Sequence, residues 1–149
     1  MVDYSKSKIY KIYPICDHDE GDVYFGSTTQ ALSKRMVAHR CSFNKGNFKQ
    51  CSSCKLFEKY GLENCKIELI QNSPCNNKEE LLKIEREFIT TNKCVNRCIP
   101  LRTKDEYMIE YHQKNRDKIL EQKKQYHLDN RDRILEYQKK WRETQKLKS

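Results

Sequence analysis

The sequence has no long hydrophobic run. Nothing in it approaches the ~20 consecutive apolar residues that a membrane span requires, so no membrane-inserted segment is expected. Residues 1–6 are polar and lack the apolar centre of an export signal, which makes a reducing intracellular compartment, cytoplasm or nucleus, the expected location. Acidic residues are in deficit, 21 against 30 Lys plus Arg, leaving a formal charge of +9. Such an excess favours a polyanionic partner. At 149 residues the chain has room for one compact domain and an extension, not for two full domains.

Cysteine, by contrast, is abundant, with eight residues. In a short exported chain an even count suggests a disulfide framework. With no export signal in view and a charge-rich helical C-terminal region, most of these cysteines are expected to be reduced, small apolar residues.

Residues 9–16, Ile-Tyr-Lys-Ile-Tyr-Pro-Ile-Cys, are β-branched and aromatic and read as a strand. A polar turn over residues 17–22 leads to a returning strand over residues 23–27, so the two make a hairpin. Thr28-Thr29-Gln30 is suited to cap a helix from about Ala31 to Cys41, on which Arg35 and His39 share a face at i, i+4. A second helix is expected from about Ser52 to Tyr60 with Gly61 at its end. Alternation over residues 65–70 predicts a half-buried strand, and residues 78–91 a third helix with Leu81, Leu82, Ile84, Phe88 and Ile89 inward. These elements predict an α+β domain over residues 8–100: a small three-stranded antiparallel sheet flanked by helices.

Residues 101–149 differ in kind. They carry 14 basic and 9 acidic residues and no cluster of core-forming side chains. The segment repeats at an offset of 15 residues: Tyr111, Asn115-Arg116-Asp117 and Ile119-Leu120 return as Tyr126, Asn130-Arg131-Asp132 and Ile134-Leu135, with Trp141 on the same beat. This predicts a charged helical extension in which Asn115 and Asn130 cap short helices.

Within the domain, Tyr10, Tyr24, Arg35, His39, Glu85 and Asn96 form a set suited to phosphodiester chemistry. A carboxylate can hold a divalent metal and an arginine can neutralise phosphate charge. Lys8-Ile9-Tyr10, then Tyr24-Phe25-Gly26, then Arg35 and His39 one turn apart, then Glu85-Arg86-Glu87-Phe88-Ile89 and Cys94-Val95-Asn96 together resemble the GIY-YIG nuclease family. Lys8 stands where the family has glycine and Phe25 where it has isoleucine. The resemblance implies a DNA endonuclease using one divalent cation, Mg²⁺ or Mn²⁺, held by Glu85, with Glu87 the rival carboxylate two positions on. It further implies that Tyr10, with Tyr24, orients or deprotonates the attacking water, that Arg35 holds the scissile phosphate, that His39 relays a proton or positions water, and that Asn96 braces the site. The basic residues named for nucleic-acid contact are Arg35, Arg40, Lys45 and Lys49 in the domain and Arg116 and Arg131 in the tail. The tail composition resembles that of such nucleases encoded by large DNA viruses.

Three other readings compete. The same fold could bind nucleic acid without cutting it. Cys51-x-x-Cys54 and Cys94-x₃-Cys98 have spacings that structural zinc accepts, giving a zinc-stabilised interaction module. Zinc is not expected, because Cys51 falls at a predicted helix start and Cys94 and Cys98 straddle the candidate site residue Asn96. The tail, finally, reads either as a DNA-contacting arm with stacking aromatics or as a solvated helix laced with i, i+4 ion pairs.

Overall fold

The strand Lys8–Pro14 (β1) is apolar or aromatic on both faces, and that places it in the middle of the sheet. In the computed structural model, which describes residues 2–46 and 51–146, the adjacent residues Ile9 and Tyr10, and then Ile12, have no exposed surface. Successive side chains of a strand point to opposite faces, so burial of neighbours requires cover on both sides. Strands Tyr24–Thr28 (β2) and Cys65–Asn72 (β3) pair with β1 antiparallel, one on each edge, in the order β2-β1-β3. The register sets Tyr10 opposite Gly26 on one side and Leu69 on the other, with an irregularity between Ile9 and Tyr10 in the pairing with β3.

Helices Leu32–Asn44 (α1) and Cys54–Tyr60 (α2) supply one layer. Met36, Leu56 and Phe57 from them pack with Tyr10, Ile12 and Cys65 of the sheet into the main core. Leu56 and Phe57 are almost completely covered, each contributing roughly 1.5–3 kcal/mol of burial. The helix Lys78–Thr91 (α3) lies against β2, where the Phe25 ring meets Phe88 at 6.0 Å. Asn77 caps α3 by accepting from the Glu80 amide at 3.0 Å, and Glu79 and Glu80 occupy the first turn, where the helix dipole favours acids. The first unit of the chain ends at Leu101. It is the α+β arrangement expected, a three-stranded antiparallel sheet flanked by helices.

Several local expectations change. α1 runs on to Asn44 rather than stopping near Cys41, and its N-cap is Ala31 with no side-chain bond. Thr28 does not cap it: its hydroxyl accepts from the Gln30 amide at 3.1 Å, closing the turn before the helix. α2 starts at Cys54, because Ser52 and Ser53 form the preceding turn. Of the eight cysteines, all free, only Cys54 and Cys65 are buried, while Cys16, Cys41 and Cys98 are exposed. Most of them are therefore not core residues.

The second unit starts at Arg102. It consists of helices Lys104–Lys114 (α4), Arg116–Asp129 (α5) and Arg131–Lys146 (α6). Thr103 and Glu106 form a reciprocal capping box at the start of α4. Asn115 and Asn130 stand at the helix junctions, but their side chains do not cap forward. Each amide instead donates back to a carbonyl of the preceding helix, Tyr111 at 2.8 Å and Tyr126 at 2.9 Å. Tyr107, Tyr111, Tyr126, Tyr137 and Trp141 are all exposed. Ion pairs Lys114–Glu110 and Lys140–Glu136 lace the surface at i, i+4. Lys49, one of the residues named for nucleic-acid contact, lies outside the described residues.

Candidate active site

Gly26 creates the space on which the site is built. A Cβ at that position would stand 2.5 Å from the Tyr10 hydroxyl and 2.6 Å from Cζ, so the Tyr10 phenol can lie across β2 only because nothing projects there. From that place the hydroxyl reaches α1. Arg35 Nε donates to Tyr10 Oη at 2.8 Å, and Tyr10 Oη lies 2.8 Å from His39 Nε2. The i, i+4 spacing of Arg35 and His39 puts both over the same ring.

Burial fixes the protons. Desolvation, reinforced by the Arg35 charge, lowers the pKa of His39 to about 3, so its imidazole is neutral at ordinary pH. Burial also raises the Tyr10 phenol above its usual range, partly offset by Arg35. A neutral phenol that accepts from Arg35 has its own hydrogen left to donate, so Tyr10 donates to His39 Nε2. His39 Nδ1 then carries the ring hydrogen and donates to Ser53 Oγ at 2.8 Å. Ser53 has no exposed surface, and the Cys51 thiol lies 3.1 Å from its hydroxyl. The result is a directional chain, Arg35 to Tyr10 to His39 to Ser53.

The two tyrosines differ in access. Tyr10 is fully buried, whereas Tyr24 borders an open cavity of about 500 Å³. Arg35, His39, Glu85 and Asn96 line the same cavity. Burial raises the Tyr24 phenol well above its ordinary value, and nearby Tyr10 and Glu85 raise it further. Five of the six candidate residues thus meet at one opening, with Tyr10 directly behind.

Glu85 is half-buried, and burial raises its carboxyl above the usual range, an effect reduced by the Ser27 hydroxyl and Arg35. Ser27 Oγ donates to Glu85 Oε2 at 2.5 Å and orients the carboxylate from β2. Glu87 is exposed and does not line the cavity, since two residues turn a helix by roughly 200°. Asn96 turns its whole amide to the free edge of β2. Its Oδ1 accepts from Phe25 N at 2.9 Å and its Nδ2 donates to Phe25 O at 2.8 Å, which substitutes for a neighbouring strand.

The remaining basic candidates lie elsewhere. Arg40, one position beyond the cavity-facing residue His39, has its Nε buried with no hydrogen-bond partner, and Lys45 is exposed past the end of α1. Arg116 and Arg131 begin the tail helices α5 and α6. Sequence reasoning does not single out Ser27, Ser53 or Lys78. Ser27 directly follows the second signature, and Lys78 precedes Glu85 by seven residues, two turns of α3, so helical spacing could have found it. Ser53 carries no comparable signal.

A divalent cation fits the donor set. One carboxylate in an open cavity, with only one of its oxygens bonded to Ser27, suits Mg²⁺, which keeps most of its waters. Among the described residues no three His, Cys, Asp or Glu side chains gather into a multi-ligand metal site.

The family profile described as the GIY-YIG catalytic domain matches residues 9–97. The chain belongs to the GIY-YIG nuclease family. That span takes in the first signature strand from Ile9 onward, the second signature strand, the Arg–His helix, the carboxylate helix and Asn96. GIY-YIG nucleases are generally dependent on a divalent metal, and the domain implies DNA as the substrate. No curated protein and no solved structure matches the chain.

Proposed function

We propose that this GIY-YIG nuclease is a DNA endonuclease that hydrolyses a phosphodiester at the cavity between α1 and α3, with Mg²⁺ or Mn²⁺ as its cation. The observation that carries the reading is the convergence of Glu85, Arg35 and Tyr24 on one opening, backed by the Tyr10–His39 pair. Glu85 would hold the cation, which would supply Lewis-acid charge beside the scissile phosphate. Arg35 has its Nε fixed by Tyr10, leaving the two terminal nitrogens of the guanidinium for the phosphate. A charge placed in advance at that point stabilises the negative charge that builds up on the equatorial oxygens.

The different access of the tyrosines divides their work. Tyr24 borders the cavity and orients the attacking water, while buried Tyr10 positions Arg35 and His39. In the reaction a water oxygen bonds to phosphorus and gives up one proton, one P–O ester bond breaks, and the departing oxygen takes up one proton, so that no net proton is gained or lost. Neutral His39 accepts the Tyr10 hydrogen bond and keeps the pair from adding a second positive charge beside Arg35. Asn96 holds β2 in place without touching the reaction.

The test is cleavage of supercoiled plasmid with and without Mg²⁺ or Mn²⁺, comparing wild type with Glu85→Ala. Metal-dependent nicking by wild type and none by the variant supports the reading. Binding without cutting at any metal concentration favours the non-catalytic alternative.

A further inference from the structure

A second cavity, of about 450 Å³, adjoins the first. The two share Arg35, Lys78 and Leu82 in their walls, so the guanidinium that faces the candidate scissile phosphate also faces this neighbour. Its other walls are rich in uncharged hydrogen-bonding groups, Tyr4, Ser27, Thr29 and Gln30 among them. No carboxylate lines it among the described residues, whereas two cations do.

Lys78 is the residue in this setting that the mechanism leaves unused. It is the first residue of α3, exposed, and without an ion-pair partner among the described residues. The next residue, Glu79, pairs with Lys83 at 2.9 Å instead. Lys78, Leu82 and Glu85 follow one another at i, i+4 and i+7 along the cavity side of α3, so Lys78 lies about 10 Å along the helix from the metal carboxylate. A lysine side chain spans much of that distance. Its ammonium can therefore meet the phosphate next to the one held by Arg35.

We propose that the second cavity is the subsite for the nucleotide adjoining the scissile phosphodiester, with Lys78 binding that nucleotide's backbone phosphate. This rests on the nuclease reading of the first cavity. Hydroxyl and amide groups around a cation are the donors that backbone phosphate and sugar oxygens accept from, so the subsite fixes the path of the strand.

The experiment uses the full chain and an oligonucleotide spanning a cut position mapped on plasmid. Neutral methylphosphonate links replace the flanking phosphates one at a time. At one flanking position the neutral link raises KM about 5–10-fold for the wild type and adds nothing further for Lys78→Ala. Lys78→Ala on the unmodified substrate shows the same KM rise with kcat little changed, and Lys78→Arg restores KM. The slope of log binding constant against log salt falls by about one unit in Lys78→Ala. A Lys78→Ala protein with wild-type KM and salt slope overturns the subsite, as do effects of link and variant that multiply at every position. If wild type binds but never cuts, the nuclease reading fails while the salt slope still decides the role of Lys78. If wild type binds no nucleic acid, both fail.

Discussion

Tyr10 and Gly26 occupy one space between β1 and β2: the phenol hydroxyl lies 2.5 Å from where a glycine Cβ would be. Gly26 does not need a positive φ, since Gly46 and Gly61 are the described glycines that have one. Its smallness is what the site uses. Because the Tyr10 hydroxyl is held by Arg35 and His39, the ring cannot swing aside without breaking both bonds. Gly26→Ala is therefore expected to lower stability by about 1–3 kcal/mol, as overpacking does, and to lose cleavage by displacing Arg35. Chemical denaturation together with plasmid nicking checks this. A variant with normal stability and activity would show that Tyr10 has another resting place.

Ser27 and Glu85 make a separable pair. Glu85→Ala should abolish cleavage and leave DNA binding largely intact, since one carboxylate holds the cation. Ser27→Ala should retain cutting but need more Mg²⁺ for half-maximal rate, because the carboxylate loses the group that orients it. A Mg²⁺ titration of nicking separates the two. Loss of cutting in Glu87→Ala with Glu85→Ala active would instead move the metal site to a side chain that the fold leaves in solvent.

Removing a positioned hydroxyl or charge stabiliser should slow cutting strongly. Tyr24→Phe and Arg35→Ala are each expected to cut at least ~100-fold slower with folding near normal. Tyr10→Phe should be similarly slow, but through loss of the Arg35 and His39 bonds rather than of contact with water. The double variant Tyr10→Phe with Arg35→Ala would then be scarcely slower than Arg35→Ala alone. Multiplying effects would show that Tyr10 acts independently of Arg35.

His39 links the site to stability in acid. Its folded pKa, about 3, is depressed from the ordinary value of 6.5. Between those values the unfolded chain takes up a proton that the native protein refuses, so stability falls as pH is lowered from 6.5 towards 3. The raised pKa of Glu85 acts in the opposite sense: its share of stability is present below the unfolded carboxylate value and is lost as pH rises through the folded one. Comparing wild type with His39→Gln isolates the histidine. The variant should lose much less stability between pH 6.5 and 4 by thermal or urea denaturation. Parallel curves would mean that His39 is solvated in the folded state.

The fold was legible where periodicity and burial coincide. The span of α3 could be read to its ends because Leu81, Phe88 and Ile89 repeat on one face and Asn77 caps it. The hairpin could be read from its aromatic runs. The start of α1 could not, since Thr28 and Thr29 are good cap residues by type and only the structure shows Thr28 bonded to Gln30 in a local turn. Within the site, residue types could be read but access could not. Two tyrosines on adjacent strands look equivalent until Gly26 decides that one of them lies buried. The Ser53 partner of His39 was invisible because it lies 14 residues further along the chain and meets the ring only through packing. Asn115 and Asn130 mark the helix junctions by residue type, but a side chain that can bond forward or back leaves its direction open.

The tail gives the last prediction. Its helices bury no described side chain and pair some of their charges internally, yet the segment of residues 101–149 carries 14 basic against 9 acidic residues. If these helices contact DNA, a chain ending at Pro100 should keep metal-dependent cutting and bind more weakly. Every phosphate that the shortened chain no longer neutralises takes about one unit from the slope of log binding constant against log salt. The net excess of five cations (14 less 9) limits the loss, so a drop of about two to four units is expected. Arg116→Ala and Arg131→Ala should each account for about one unit of it. An unchanged slope on truncation would assign the helices to protein contacts, and the domain of residues 8–100 would then hold DNA through its own cavities.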